Sequence, residues 1–189
     1  MSSSGPQLYI ALLHDQMVDK QGDLVTTSIT LIDVHDIARS SRTYGVKSTF
    51  VAHPSSALRK LSRTLKGHWE EGFGAEYNPN RKEALSIIEI VTDLDEAVQK
   101  IDFAHGKLPK LIATSARTGP QRHSFETLRQ VLHTSSDPYL LMLGTGWGMS
   151  EKLLERADFF LEPIVGPTAY NHLSVRSACA IMLDRLLRP

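Results

Sequence analysis

The chain has 189 residues, equal numbers of basic and acidic side chains (21 each), and 41% hydrophobic residues. This length and apolar content suffice for a buried core, so we expect residues 1–189 to form a single domain. The one cysteine, Cys179, excludes a disulfide framework and a multi-cysteine metal site, and its apolar helical surroundings favour a core thiol. No apolar run approaches the ~18 residues of a membrane span, and the first six residues lack a signal-peptide pattern, so we expect a cytoplasmic protein without membrane contact.

Apolar runs separated by turn residues predict alternating strands and helices. The predicted strands are Leu8–Leu13, Lys47–Val51, Ile87–Val91, Lys110–Ala113, Tyr139–Leu143 and Phe159–Leu161. The predicted helices are 33–44, 55 or 56 to 65, about 93–103, about 124–133, and 174–187. Asp33 is interpreted as the N-cap of the first helix and Gly45 as its terminator. Segments 15–24 and 67–81 are predicted to be irregular, and 25–31 to be a short extended piece. This alternation indicates an α/β fold, a mainly parallel sheet flanked by helices.

The charges are unevenly distributed although they sum to zero. Residues 37–69 contain no acidic side chain, and residues 107–129 hold five Lys or Arg against Glu126 alone. Two interpretations remain open: the solvated faces of amphipathic helices, or a surface that binds a polyanion through clustered cations. The candidate phosphate-binding residues are Arg42, Lys47, Arg59, Lys60, Arg63, Lys66, Arg117 and Arg122.

The first predicted helix has an apolar face and a charged face. His35, Arg39 and Arg42 follow i, i+4, i+7 spacing and therefore share the charged side. Asp33 lies at the helix entry, where a carboxylate interacts favourably with the helix dipole. Asp33, His35 and Arg39 together could form a small acid–base and charge-stabilising cluster, although a capping Asp and solvated Arg side chains explain the same pattern.

The strand predicted at 139–143 runs into the Gly-x-Gly-x-Gly loop 144–148. Residues without Cβ let a ligand approach the backbone, but a tight strand-to-helix turn with positive φ explains the same glycines. The spacing fits neither a Walker A loop nor a dinucleotide-binding fingerprint, and only about forty residues follow. A cofactor site would therefore have to be built from C-terminal loops. Trp147 is suited either to stack on a planar ligand or to cover the edge of the core.

A polar motif precedes the last predicted helix. Ser174 is a natural N-cap, and free N–H groups at that helix end can hold polar ligand atoms, although Asn171 and His172 can instead stabilise the loop. No Gly-x-Ser-x-Gly elbow supports a hydrolase, and the eight His residues show no metal-ligand spacing. We therefore expect no metal site.

Five segments carry a resemblance to a known family: Ile10–Leu13, Asp33–Val46, Leu143–Gly148, Glu162–Ile164 and Tyr170–Ala178. In this order, and over nearly the whole chain, they resemble the SPOUT superfamily of S-adenosylmethionine (SAM)-dependent RNA methyltransferases. More narrowly, they resemble a small bacterial group of undefined RNA target. The resemblance implies a C-terminal deep trefoil knot, which periodicity could not suggest because knots are nearly absent from proteins. It also implies a homodimer whose active site is completed across the interface.

By resemblance, three knot loops would hold SAM, and S-adenosylhomocysteine as the product: 143–148, 163–166 and 170–175. Backbone groups of Leu143, Gly144, Ile164, Asn171 and Leu173 would hold the adenosine and ribose. The full set of implied cofactor-binding residues is Leu143, Gly144, Thr145, Gly146, Trp147, Gly148, Ile164, Gly166, Asn171, His172, Leu173, Ser174 and Val175.

The segment 33–39 resembles the first motif of the tRNA ribose methyltransferase branch, in which an Asn precedes an Arg by six residues. Here Asp33 takes the Asn position and Arg39 the Arg position. Because an Asp cannot donate as an amide does, ribose methylation and base methylation, as in the guanine-N1 branch, both stay open. Arg39 would position the target nucleotide of a tRNA or rRNA, with Asp33 or His35 beside it as proton acceptor.

Two alternatives belong to other functional classes. One is a non-catalytic RNA- or nucleotide-binding module on the same α/β scaffold. The other is a hydrolase or oxidoreductase of the doubly wound class, which NAD(P) binding would support. SAM affinity separates the methyltransferase from the RNA-binding module, because a module that binds RNA alone should ignore SAM.

Overall fold

The computed structural model describes residues 5–188, so the first four residues of the N-terminal segment considered above, and Pro189, lie outside the described part. The strands in this range are β1 (Leu8–Leu13), β2 (Met17–Val18), β3 (Leu24–Val25), β4 (Thr49–Ala52), β5 (Ile88–Val91), β6 (Lys110–Ala113), β7 (Tyr139–Leu143) and β8 (Phe159–Phe160). The helices are α1 (Leu31–Thr43), α2 (Ser56–Glu70), α3 (Phe73–Tyr77), α4 (Pro79–Ser86), α5 (Leu94–His105), α6 (Phe125–Thr134), α7 (Glu151–Leu154) and α8 (Val175–Leu187).

A six-stranded sheet in the order β5-β4-β1-β7-β6-β8 forms the centre, and every pairing in it is parallel. Strand β7 lies between β1 and β6 in the sheet, although it follows β6 in the chain. The order of the strands in the sheet therefore differs from their order in the sequence in the C-terminal half. Strands β2 and β3 form a separate antiparallel hairpin. The predicted α/β fold with a mainly parallel sheet is confirmed, and the trefoil knot stays a prediction.

Strand β1 shows how the sheet divides the core. Leu8, Ile10 and Leu12 point to the face covered by α1, α6 and α8, whereas Ala11 and Leu13 point to the face covered by α5 and α7. This strict alternation follows from the two-residue period of a strand, and a strand that is covered on both faces is apolar throughout.

The closing helix α8 packs into the first of these faces. Cys179 is fully buried there, and burial raises the pKa of its thiol to about 12, which fits the expected core thiol.

Among residues 5–188, no helix combines the length and the apolar character that crossing a membrane requires.

The structure corrects two helix predictions. Helix α1 begins at Leu31, and Thr30 occupies the N-cap position, so Asp33 lies in the first turn and does not cap the helix. Segment 67–81 is not irregular: α2 continues through Glu70, and α3 and α4 follow. The glycines there serve close packing, because a Cβ on Gly72 or Gly74 would come within 2.8 or 2.6 Å of atoms on α2.

The short hairpin β2–β3 and helix α7 were not predicted. Each element is only two to four residues long. Elements of this length carry no periodic signal, and their position depends on the loops against which they pack.

Candidate functional site

The loops that follow β6, β7 and β8 lie together at the carboxyl edge of the sheet, the edge at which open parallel sheets bind ligands. The side-chain Nδ2 of Asn171 donates to the carbonyl oxygen of Ala116 at 2.9 Å. Ala116 lies in the β6–α6 loop, and the guanidinium of the next residue, Arg117, contacts the carbonyl oxygen of Trp147 at 3.5 Å. The β6–α6 loop (residues 114–124) therefore contacts both the loop after β7 and the segment between β8 and α8.

The glycine loop is fixed by the neighbouring hairpin. The N–H of Trp147 donates to the carbonyl oxygen of Val18 at 3.1 Å, and the N–H of Val18 donates to that of Gly148 at 2.9 Å. Gly146 and Gly148 have φ values of +62° and +114°, which side chains other than glycine rarely adopt. The tip of the loop is thus a tight turn, and Trp147 within it is 51% exposed.

The segment between β8 and α8 carries open backbone donors. Within residues 5–188, the N–H groups of Ile164, Gly166, Asn171 and Leu173 donate to no protein acceptor. Ser174 caps α8 as predicted, because its hydroxyl accepts the N–H of the residue three positions on. Unpaired N–H groups on a partly exposed segment can donate to the polar edge of an adenosine.

Asp33 is engaged by the last helix. Its carboxylate accepts a hydrogen bond of 2.8 Å from Nη1 of Arg176, and Nε of Arg176 lies 3.4 Å from the carboxylate of Asp36. The Asp33 side chain is 15% exposed, so water screens this contact only in part. The pair therefore links the N-terminal turns of α1 and α8, the second of which follows the open segment 164–173.

His35 and Arg39 lie on a different side of α1. The ring of His35 meets the ring of Trp69 edge-on, with the centroids 5.4 Å apart. Burial lowers the pKa of His35, and the guanidinium of Arg81 lowers it further. Arg39 is exposed. The structure brings His35 and Arg39 together and places Asp33 elsewhere, because residues two apart on a helix point in different directions.

Two buried histidines at the carboxyl ends of β1 and β4 were missed by the sequence analysis. His14 and His53 lie with their ring centroids 5.6 Å apart. Nδ1 of His14 donates to the carbonyl oxygen of Ala52 at 3.0 Å, and His53 bonds the carbonyl oxygen of Thr27. Burial lowers the pKa of His14. The bond from His53 fixes Thr27, whose hydroxyl meets the hydroxyl of Thr145 in the glycine loop at 2.5 Å. The available sequence signal was a polar residue directly after an apolar strand.

The eight candidate phosphate-binding residues divide into two groups. Four are occupied within the chain: Arg42 pairs with Glu83, Arg59 donates to backbone carbonyls, Lys66 contacts Ile88 and Glu70, and Arg122 lies over Phe160. In the described range, the side chains of Lys47, Lys60 and Arg63 have no acceptor, and all three are exposed. Arg117 is exposed apart from its long contact with Trp147.

The sheet and its loops define an α/β protein with a candidate ligand site at the carboxyl edge of its central strands. Comparison with known proteins narrows this class. A family model of SAM-dependent RNA methyltransferases matches residues 7–188. An uncharacterized protein of Aquifex aeolicus is 37% identical over 179 residues, which are 95% of this chain and 87% of that protein.

Two further proteins extend the comparison. A tRNA (guanine-N(1)-)-methyltransferase of Oleidesulfovibrio alaskensis is 41% identical over 97% of this chain, which spans only 42% of that protein. The crystal structure of an A. aeolicus TrmH/SpoU tRNA modifying enzyme shares the fold, with a TM-score of 0.56 at 17% identity over 97% of this chain and 75% of that one. The chain belongs to the SAM-dependent RNA methyltransferase family, which confirms the resemblance to SAM-dependent RNA methyltransferases and SAM as the cofactor. Family membership also disfavours a binding module without catalysis and a doubly wound hydrolase or oxidoreductase.

Proposed function

We propose that this chain transfers the methyl group of SAM to a nucleotide of tRNA or rRNA, and that the three loops at the carboxyl edge hold SAM. The observation that carries the proposal is the joining of these loops through Asn171 and Arg117, next to N–H groups that have no acceptor among residues 5–188. We propose that residues 1–189 act as one methyltransferase domain in the cytoplasm.

The residues at this edge fit SAM. Open N–H groups of Ile164, Asn171 and Leu173 would bond the adenosine and ribose, together with backbone of Leu143 and Gly144, while the exposed ring of Trp147 offers an apolar wall. Bound SAM supplies an electrophilic methyl group on a sulfonium. The remaining loop residues of the proposed site are Thr145, Gly146, Gly148, Gly166, His172, Ser174 and Val175.

The side chains on α1 would act on the RNA. Arg39 is exposed and always charged, so its guanidinium can hold phosphate or ribose oxygens in a fixed geometry. His35 beside it stays neutral at lower pH than an ordinary histidine, because burial lowers its pKa, and a neutral imidazole can accept a proton. Asp33 would position the SAM loops through Arg176.

A homodimer would complete this site. Among the described residues of one chain, the side chain of Arg39 makes no hydrogen bond or ion pair with the three loops. A partner subunit is therefore the simplest way to bring an Arg39 side chain beside the loops that hold SAM. Helix α8 itself leaves little apolar surface for such an interface, because four of its apolar side chains are buried in the core: Cys179, Met182, Leu183 and Leu186. Support comes instead from exposed apolar residues in the first turn of α1 and in the segment before α8, namely Ile32, Val165, Tyr170 and Leu173.

Calorimetry with SAM tests the cofactor site. Gly166 is exposed, and a Cβ added there meets no atom within 4 Å, so Gly166→Val should fold normally and yet obstruct the ligand. We expect at least a tenfold loss of SAM affinity, while Gly67→Val, which also points into open space, binds as the wild type does. Absence of SAM binding to the wild-type chain would refute the proposed site.

Mass spectrometry of nucleosides decides the target. RNA from cells with and without the protein should differ in one methylated nucleoside, and purified protein with SAM should restore it. The name of the O. alaskensis relative makes tRNA the first substrate to test and N1-methylguanosine the first product to measure. Methylation of the 2′-oxygen would appear instead as a nuclease-resistant dinucleotide.

A further inference from the structure

Helix α3 exposes two aromatic rings that stack on each other. Phe73 and Tyr77 have ring centroids 6.0 Å apart and an interplanar angle of 21°. Their exposed fractions are 74% and 77%. The i, i+4 spacing puts both rings on one face of the helix, so their outer surfaces are presented to solvent together.

This orientation follows from the packing of the opposite face. Gly74 is buried against Trp69, and a Cβ at that position would come within 2.6 Å of the indole ring. Trp69 packs against the core beside β4 and β5, which holds α3 against the body of the protein. The two rings are therefore exposed by a fixed arrangement of helices.

The segment that carries the two rings has an excess of cations over anions. Residues 59–82 contain six Lys or Arg against three Glu, of which Glu76 lies on α3 itself. The guanidinium of Arg81 lies over the ring of Trp69 at 4.4 Å, and Lys82 is exposed with no acceptor in the described range. Trp69 also contacts His35, so this surface is continuous with the face of α1 that carries Arg39.

We propose that Phe73 and Tyr77 form a stacking platform for unpaired nucleotides of the RNA substrate, with the surrounding cations holding the phosphates. Every base has a flat face, so exposed aromatic rings beside cations bind single strands of any sequence. A contact with a second copy of this chain fits less well, because the centre of such an interface is depleted of charged side chains. The inference rests on the proposal that the chain acts on RNA, and it adds where and in what form that RNA is held.

The test uses the full chain and two fluorescently labelled probes, a 12-nucleotide oligouridine and an RNA duplex of equal length. The Phe73→Ala, Tyr77→Ala double variant should bind the single strand about thirtyfold more weakly by anisotropy, with duplex affinity and SAM affinity within twofold of the wild type. Phe73→Trp with Tyr77→Phe should retain binding. Phe103→Ala is the matched control, because that ring on α5 is 92% exposed and lies outside the basic surface.

Each outcome decides the proposal. Salt titration should give the double variant the wild-type slope, whereas Lys82→Ala should reduce the slope by about one unit. Unchanged single-strand affinity in the double variant, or no single-strand binding by the wild type, overturns the platform. Conversion of a dimer to a monomer by the double variant, measured by light scattering, assigns the surface to a second copy and also overturns it. Failure of the proposed function is separate, because it appears as a wild-type chain that does not bind SAM.

Discussion

The contact between Asp33 and Arg176 offers a direct test of whether Asp33 takes part in the chemistry or holds the proposed SAM-binding loops in place. The hydrogen bond is 2.8 Å long, and the two side chains are 15% and 34% exposed. A charged hydrogen bond with this partial shielding should contribute about 1.5 kcal/mol to the free energy of unfolding, above the range of exposed ion pairs. Asp36→Ala removes the longer contact of 3.4 Å to a more exposed carboxylate and should cost about 0.5 kcal/mol or less.

The assay is a double-mutant cycle with Asp33→Ala and Arg176→Met, followed by urea unfolding, SAM calorimetry and single-turnover methyl transfer. If Asp33 positions the loops through Arg176, both single variants and the double variant should lose SAM affinity by the same factor, about fivefold. The stability losses should be non-additive by about 1 kcal/mol. Additive losses, or a variant at Asp33 that abolishes methyl transfer while Arg176→Met retains it, would refute the positioning role and make Asp33 a catalytic residue.

Three other predictions concern the loops, the buried histidines and α1. Gly146→Val should lower SAM affinity more than tenfold in calorimetry, because φ is +62° and a Cβ would lie 3.1 Å from a neighbouring side chain. The control is Gly22→Val, which also has a positive φ of +93° but whose Cβ would lie in open space, and it should bind SAM normally. Burial lowers the pKa of His14 below its ordinary 6.5, so the unfolded chain takes up a proton first and the free energy of unfolding falls as the pH drops below about 6.5. His14→Asn, which can still donate to the same carbonyl, should reduce that loss by about 1 kcal/mol between about pH 8 and 5.5 in urea titrations, and an identical pH dependence would contradict the buried neutral state. Arg39→Ala should keep SAM affinity within a few-fold and slow methyl transfer roughly a hundredfold, whereas Arg63→Ala should mainly weaken RNA binding; a wild-type transfer rate for Arg39→Ala would show that the active site lies elsewhere.

The central strands and most helix ends were predictable from local sequence. Strands such as Tyr139–Leu143 are short, apolar and bounded by turn residues, and caps such as Ser55, Ser124 and Ser174 act within three residues of themselves. Segment 67–81 was mispredicted because glycine and asparagine usually mark loops. Here the glycines let α3 approach α2 closely, which is a tertiary requirement that no local pattern reveals.

The candidate site likewise has features that the local sequence predicts and features that depend on tertiary contacts. The glycine loop could be recognised because its glycines permit the tight turn that follows β7. The segment before α8 could be recognised because it ends in Ser174, which caps the helix directly after it. The partner of Asp33 was not, since Arg176 lies 143 positions away and meets it only when α8 packs beside α1. Composition and periodicity thus determined the α/β class and the strands, because these depend on neighbours within a few residues, and the family motifs were found by their resemblance to a known family. The packing of helices that are distant in sequence decided which charged groups form ion pairs, which stay exposed, and which aromatic rings remain on the surface.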